Sequence, residues 1–285
     1  MNLIIYDKMS IYFKAEDHSY TSVDNDNPIS WISVTTLISQ FKEYFDAEAV
    51  ALKCSKQKSS KWFGLTPESI RAIWKSESDR ASGLGTFYHN QRETDLCSLA
   101  SIEREGIPLP VYTPVETDGI KYAPDQKITN GIYPEHMVYL KSAGICGQSD
   151  LVEIVNGHVD IIDYKTNKEI KTESYKNWEG VSKKMLFPIA HLDDCSFVHY
   201  ALQLSIYMYI ILKHNPKLQA GKMYLHHITF ENDDIDKWGY PITKYDQDNN
   251  PIVKEVIPIE VPYLKDEVIS IVNWLHDNKH KIKKK

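Results

Sequence analysis

The sequence predicts an α/β fold, and three observations carry that reading. Residues 131 to 141, 145 to 155 and 158 to 165 are consecutive strand-like segments rich in β-branched and aromatic residues. A strongly apolar helix, "SFVHYALQLSIYMYIILKH", comes next, and a further strand, "KMYLHHITF", follows it. The chain closes on "VPYLKDEVISIVNWLHDNKHK", which has the spacing of an amphipathic helix.

The remaining elements follow in order. Within the first 35 residues, "LIIY", "SIYFK" and "SWISVTT" read as short strands separated by polar turns such as "DNDNP", which implies an N-terminal β-hairpin. The spacing of Leu37, Phe41, Phe45, Val50 and Leu52 predicts a helix from about residue 37 to 58. "TPESIRAIWKSESDRA" opens with Thr66 as N-cap and Pro67 at the first helical position, a strong start signal. "SGLGTFYHNQRETDLCSLASIERE" reads as a further helix entered through Gly83 and Gly85, and a proline-broken loop leads to the three strands. Residues 167 to 194 are polar and irregular. Without internal repeats or a low-complexity linker, one domain over residues 1 to 285 is the simplest division. It comprises an N-terminal elaboration (1 to 82), a core (83 to 230) and a C-terminal strand, helix and basic tail (231 to 285).

An apolar fraction of 42% over 285 residues is enough to bury a core without disulfide or metal staples. No run of about 18 apolar residues is present, which argues against a membrane span. "MNLIIYDKMSIYFK" lacks the features of a signal peptide, so a cytoplasmic location is expected. Cys54, Cys97, Cys146 and Cys195 lie far apart and form no C-x-x-C pair. The net charge of -6 does not advertise nucleic-acid binding. Local lysine patches could still supply a positive field: Lys53 to Lys61, Lys168 to Lys176, and the tail "KHKIKKK".

The stretch "CGQSDLVEIVNGHVDIIDYKT" carries the chemistry. Asn156-Gly157 between two β-rich runs is a strong hairpin signal, because both residues tolerate positive φ. A two-residue loop pairs Val155 with His158, Ile154 with Val159 and Val152 with Ile161. Continued outward, it sets Asp150 opposite Asp163 and Gln148 opposite Lys165, with the two acids and the lysine on one face beside aliphatic residues. Opposed side chains have Cβ atoms roughly 4.5–5.5 Å apart, so two carboxylates there repel. Desolvation adds to that penalty. A cation between them resolves both, and oxygen ligands favour Mg²⁺ or Mn²⁺ over zinc. The alternative, a solvent-facing cluster of acids and lysine, requires Val152, Ile154 and Ile161 to be exposed as well.

Two acids and a lysine in a D…D-x-K pattern on adjacent strands resemble the PD-(D/E)XK nuclease superfamily. "GTFYH", "GQSD", "DYKT" and "QLSIY", in that order from Gly85 to Tyr207, are similar to its RecB-type exonuclease branch. That branch includes CRISPR adaptation nucleases, a mitochondrial genome-maintenance exonuclease and many phage exonucleases. The N-terminal "DHSY" and "SVTTLI" resemble the start of phage-type members. The resemblance implies a restriction-endonuclease-like core, a mixed central sheet flanked by helices, with the N-terminal hairpin and helices as an elaboration that could cover a DNA channel. It implies that Asp150 and Asp163, the Tyr164 carbonyl and His89 ligate Mg²⁺ or Mn²⁺. Lys165 would orient the attacking water, Glu135 would be the upstream acid, and Gln203 and Tyr207 would flank the substrate, with Lys168 nearby. Many members of the branch hold an iron–sulfur cluster through one early and three late cysteines. Here no cysteine follows Cys195, so no cluster is expected.

The implied activity is metal-dependent DNA exonuclease action on single-stranded or resected ends in recombination, repair or genome processing, with an annealing protein or helicase as a possible partner. Two other readings stay open: a structure-specific endonuclease on the same core, and a non-catalytic DNA-binding module. The composition, rich in Lys, Ile, Tyr and Asn, hints at an AT-rich source such as a phage, which would place the protein in the host cytoplasm.

Overall fold

The computed structural model describes residues 11–14, 16, 19–23 and 28–278; the strand expected at residues 3 to 6 and the basic tail from 279 lie outside them. The chain begins with β1 (Ile11–Lys14), β2 (Ser19–Ser22), β3 (Ile32–Ser33), α1 (Val34–Ser39), α2 (Ala47–Lys56) and α3 (Pro67–Cys97). Four short strands make two hairpins, β4 (Ser101–Arg104) with β5 (Ile107–Pro110) and β6 (Val115–Thr117) with β7 (Ile120–Tyr122). The long elements are β8 (Gly131–Leu140), β9 (Ile145–Val155), β10 (His158–Lys165), α4 (Ser196–His214) and β11 (Gln219–Phe230). A hairpin of β12 (Asn232–Ile235) and β13 (Pro241–Thr243) precedes β14 (Val253–Glu260) and α5 (Lys265–Asn278).

The architecture is the mixed central sheet flanked by helices that the sequence led us to expect. Its order is β14-β11-β10-β9-β3, with β8 also on β9; β10–β11 and β3–β9 are parallel and the other pairs antiparallel. α4 lies over one face, where Leu202, Leu204, Ile206 and Ile210 are fully buried with Val152, Ile154, Val159 and Ile161. Burying each such side chain contributes roughly 1.5–3 kcal/mol, which is why this helix was the clearest in the sequence. α3 covers the other face through Leu84 and Tyr88 against Tyr164, and through Leu96 against Ile132 and Leu151.

The pairing of β9 locates the site. One edge pairs with β8 from Ile145 to Ile154. On the other edge β10 takes Leu151 to Val155, and β3 takes Ile145 and Cys146. Residues 147 to 150 therefore have no strand beside them on that edge among the described residues, which leaves a notch in the sheet. The Asn156-Gly157 turn forms as expected, with φ of 51° and 80° and the predicted register.

Several expectations are corrected. The β9–β10 ladder ends at Leu151–Ile162, one pair before Asp150 and Asp163 would meet. Gln148 pairs with Met137 instead, and Lys165 with His227. The helix expected over 37 to 58 is two helices, because its halves serve different cores: Leu37 and Phe41 join the α4 core, whereas Ala51 packs with Trp62 and Ile70. Asp46 caps the second helix by accepting from the Ala49 N–H at 2.9 Å. The two helices expected on either side of residue 82 are one, α3, which runs through Gly83 and Gly85. Its tail does not reach the expected end at Glu105, since the helix stops at Cys97 and Ser101–Arg104 is a strand closed by a turn at Glu105 and Gly106, both with positive φ. In "SWISVTT" only Ile32–Ser33 is extended, because the Ser33 hydroxyl accepts from the Thr36 N–H at 3.1 Å and starts α1.

Candidate active site

Asp150 is the last residue of the notch and is buried. Released from the ladder, its carboxylate turns to the backbone and accepts from the Tyr164 N–H at 2.6 Å. Glu135 falls across from it on β8, between the Pro134–Leu151 and His136–Ser149 pairs. Glu135 has a φ of 48°, a left-handed conformation that costs a non-glycine residue about 1–3 kcal/mol. Side-chain alternation resets there: Tyr133 and Val138, five residues apart, both pack into the α4 core. The reset turns Glu135 into the cleft, where it lines the same wall as Asp150.

Each flanking helix contributes one side of the site. From α3, His89 places Nδ1 3.5 Å from Asp150 Oδ1 and 3.7 Å from Glu135 Oε1. Its Nε2 lies 3.3 Å from the Tyr164 carbonyl oxygen. A carbonyl only accepts, so Nε2 carries the proton and Nδ1 is the atom presented to the carboxylates. From α4, Gln203 Nε2 donates to Asp163 Oδ1 at 3.3 Å and to the Tyr207 hydroxyl at 3.2 Å. Lys165 forms an ion pair with Asp163 Oδ2, and its ammonium sits 4.9 Å from the Tyr200 ring centroid. Two glycines allow the helices to come this close. A Cβ on Gly147 would lie 2.6 Å from the Tyr207 ring, and one on Gly85 would lie 3.2 Å from Thr166 Oγ1.

The electrostatics follow from that crowding. Burial and the charge of Asp163 push the Asp150 carboxyl well above the usual range; His89 and Lys165 pull it down less, and Glu135 adds to the rise. Burial alone would lower the His89 imidazole, but the neighbouring Glu135 and Asp150 carboxylates raise it to about 9. Burial also works against the Lys165 ammonium, and Asp163 and Asp150 more than compensate, so it stays charged. Three carboxylates thus face two cations on the wall of the cleft. Donor atoms of His89, Glu135 and Asp150 lie within 4.8 Å of one another. Two carboxylates and one imidazole with excess negative charge suit a hard divalent ion such as Mg²⁺ or Mn²⁺.

Seven of the residues singled out in the sequence, His89, Glu135, Asp150, Asp163, Tyr164, Lys165 and Gln203, meet in this cluster, and Tyr207 adjoins it through Gln203. Asp163 is engaged by Lys165 and Gln203, while Glu135 joins His89 and Asp150. Lys168 stands at the rim, where its ammonium donates to the Gly239 carbonyl at 2.9 Å. The cleft, about 1310 Å³, contains residues the sequence did not reveal. Tyr20 enters from the β1–β2 hairpin and Trp74 from α3. Tyr200 steadies Lys165 from inside an apolar helix, where no polar spacing marked it. "DHSY" was the only sequence signal for Tyr20.

Residues 66–270, well over half of the chain, match the family model described as PD-(D/E)XK nuclease superfamily. No curated protein matches the chain. Among solved structures, one titled "Crystal structure of SSO0001" aligns with 89% of this chain and 76% of its own, at 15% identity and a TM-score of 0.32. That likeness is too distant to carry an argument.

Proposed function

The chain belongs to the PD-(D/E)XK nuclease superfamily, and from that premise we propose that it is a DNA exonuclease of the RecB and phage type that trims single-stranded or resected ends. Metal-dependent phosphodiester hydrolysis is the activity that membership implies. The observation that best supports its retention here is the acidic cluster at the notch, with Lys165 held against Asp163 beside it.

His89, Glu135 and Asp150 would hold the ion, with Asp163 and the Tyr164 carbonyl at its side. A bound Mg²⁺ or Mn²⁺ supplies a Lewis acid at the scissile phosphate and lowers the pKa of a coordinated water. The rest is work for the side chains. Lys165 donates to the attacking water or to a phosphate oxygen and offsets developing negative charge. Asp163 and the Tyr200 ring fix the ammonium's position. Gln203 holds Asp163 and Tyr207 in one network, and Lys168 meets the strand at the rim. His89, with Nε2 tied to Tyr164, keeps its ring fixed whether or not Nδ1 is protonated.

Exonuclease action draws support from the ordered branch motifs from Gly85 to Tyr207. An annealing protein or helicase would supply the ends, in recombination, repair or phage genome processing. The test is cleavage of end-labelled linear and circular single-stranded DNA with Mn²⁺ or Mg²⁺, with Asp163→Ala as control. Loss of the linear strand alone, abolished in the variant, is the expected result. Cutting of the circle would make the protein an endonuclease.

A further inference from the structure

Immediately after the catalytic strand, residues 166 to 187 form an irregular finger whose ends are fastened to the α4 core by Ile170 and Met185 and whose residues 175 to 181 are exposed. In a chain of net charge -6, residues 165 to 187 hold six lysines and three glutamates. Lys168 and Lys171 make no ion pair among the described residues. Lys176 and Lys184 pair at the surface with Glu173 and Asp193, where an ion pair is worth little and a phosphate can replace the carboxylate, whereas Lys165 and Lys183 are committed to the buried carboxylates of Asp163 and Asp194. The finger is also a built structure. Lys176 bridges Ser182, and the Asn177 side chain accepts from the Glu179 and Val181 N–H groups at 3.0 and 2.9 Å. That turn holds out Trp178, which is 92% exposed, with Tyr175 75% exposed behind it.

An indole so fully offered to water on a rigid turn gives the fold nothing. It can, however, take a flat partner with little ordering penalty. The finger is connected to the cleft. The Lys183 N–H donates to the Tyr175 carbonyl at 2.8 Å, and the Lys183 ammonium lies 3.7 Å from Glu43. Two residues on, Phe45 is 63% exposed and its ring is 6.4 Å from that of Trp74, which lines the cleft. Lys168 lines the cleft from the finger's other end. Exposed rings interleaved with lysines, continuous with a phosphodiester-cleaving site, are the two components of sequence-independent single-strand binding: bases stack on rings and phosphates meet ammonium groups.

We propose that Trp178, Tyr175 and Phe45, with Lys168 and Lys171, form a stacking surface for single-stranded DNA that extends the strand's path beyond the cleft. The proposal rests on the nuclease reading for its substrate, and its test does not need turnover. Anisotropy would measure binding of labelled oligothymidine, long or only a few nucleotides in length, and of a blunt duplex, to metal-free protein. Tyr175→Ala combined with Trp178→Ala should weaken the long strand about tenfold or more, at about 1–3 kcal/mol per stacked base. The short strand and the duplex should be unchanged, and Trp178→Phe should restore most of the loss. Equal binding of the long strand by parent and variant would overturn the proposal, as would an equal loss on all three ligands. If the wild type cleaves DNA but the variant binds normally, only the finger's role falls. If no metal supports cleavage yet the strand-length difference persists, the nuclease reading falls and the surface stands.

Discussion

Asp150 and Asp194 are both nearly sealed from water, with side chains 9% and 5% exposed, and each has a histidine and a lysine near it. Their chemistry is opposite. Asp194 accepts from Lys183 at 2.9 Å and His199 at 2.7 Å; burial would raise its carboxyl, but those two hydrogen bonds and the accompanying charges hold it below the usual range. Asp150 shares His89 and Lys165 with Glu135 and Asp163, so burial and like charge win and its carboxyl rises. The difference lies in the count of neighbours. One acid between two donors is a structural tie, and it fastens the base of the finger to α4. Three acids around two cations are a deficit that folding leaves standing, and a divalent ion is the natural remedy.

The largest effect should come from breaking the functional cluster at its cation. Lys165→Ala is expected to reduce cleavage by about a thousandfold while folding is retained, since an aimed donor is worth that much in a transition state. Comparable rates in wild type and variant would remove Lys165 from the chemistry. Next, Mn²⁺ at about a hundred times its dissociation constant should stabilise the wild type by about 2.7 kcal/mol, read as a raised midpoint in denaturant. Asp150→Ala should show no such gain, and an undiminished response would place the ion elsewhere. On the structural side, Asp194→Ala should destabilise the protein by about 2 kcal/mol, because hydrogen bonds to charged groups are lost and Lys183 and His199 are left behind. The folded fraction should keep its cleavage rate; a lost rate with unchanged stability would reverse the two clusters' roles.

The two regions were unequally legible. α4 and the β8–β10 meander could be read because their signals are local: an apolar 3.6-residue stripe and an Asn-Gly turn that fixes register by itself. Extending that register to Asp150 and Asp163 failed because β3, over a hundred residues earlier in the chain, pairs with the same edge of β9 and leaves the strands to diverge between. Glu135 gave no sign of its strained backbone, since nothing in "YPEHM" calls for positive φ. Helix spacing likewise showed that residues 37 to 58 favour helix but not that Phe41 and Ala51 belong to different cores. Asp194 was passed over because its partners, Lys183 and His199, lie on an irregular segment and a helix face whose meeting is tertiary.

The smallest effect is also the sharpest contrast, because it should change sign between the clusters. In metal-free protein, a raised folded pKa means that the native state holds its proton more tightly than the unfolded chain. Stability from Asp150 is therefore present below the ordinary carboxylate value of ~4 and is lost as pH rises towards about 8. Asp150→Asn should then be more stable than wild type at pH 8, by about 1 kcal/mol or more, and lose that advantage near pH 4. Asp194 has the lowered value, so its contribution is present above ~4 and fades as pH falls through its folded pKa. Asp194→Asn should be less stable than wild type at neutral pH, and the gap should close only in acid. Denaturant midpoints of the three proteins in chelator would decide it. Differences that run the same way with pH would mean that Asp150 is as well satisfied as Asp194, and the argument for a cation at the notch would lose its electrostatic basis.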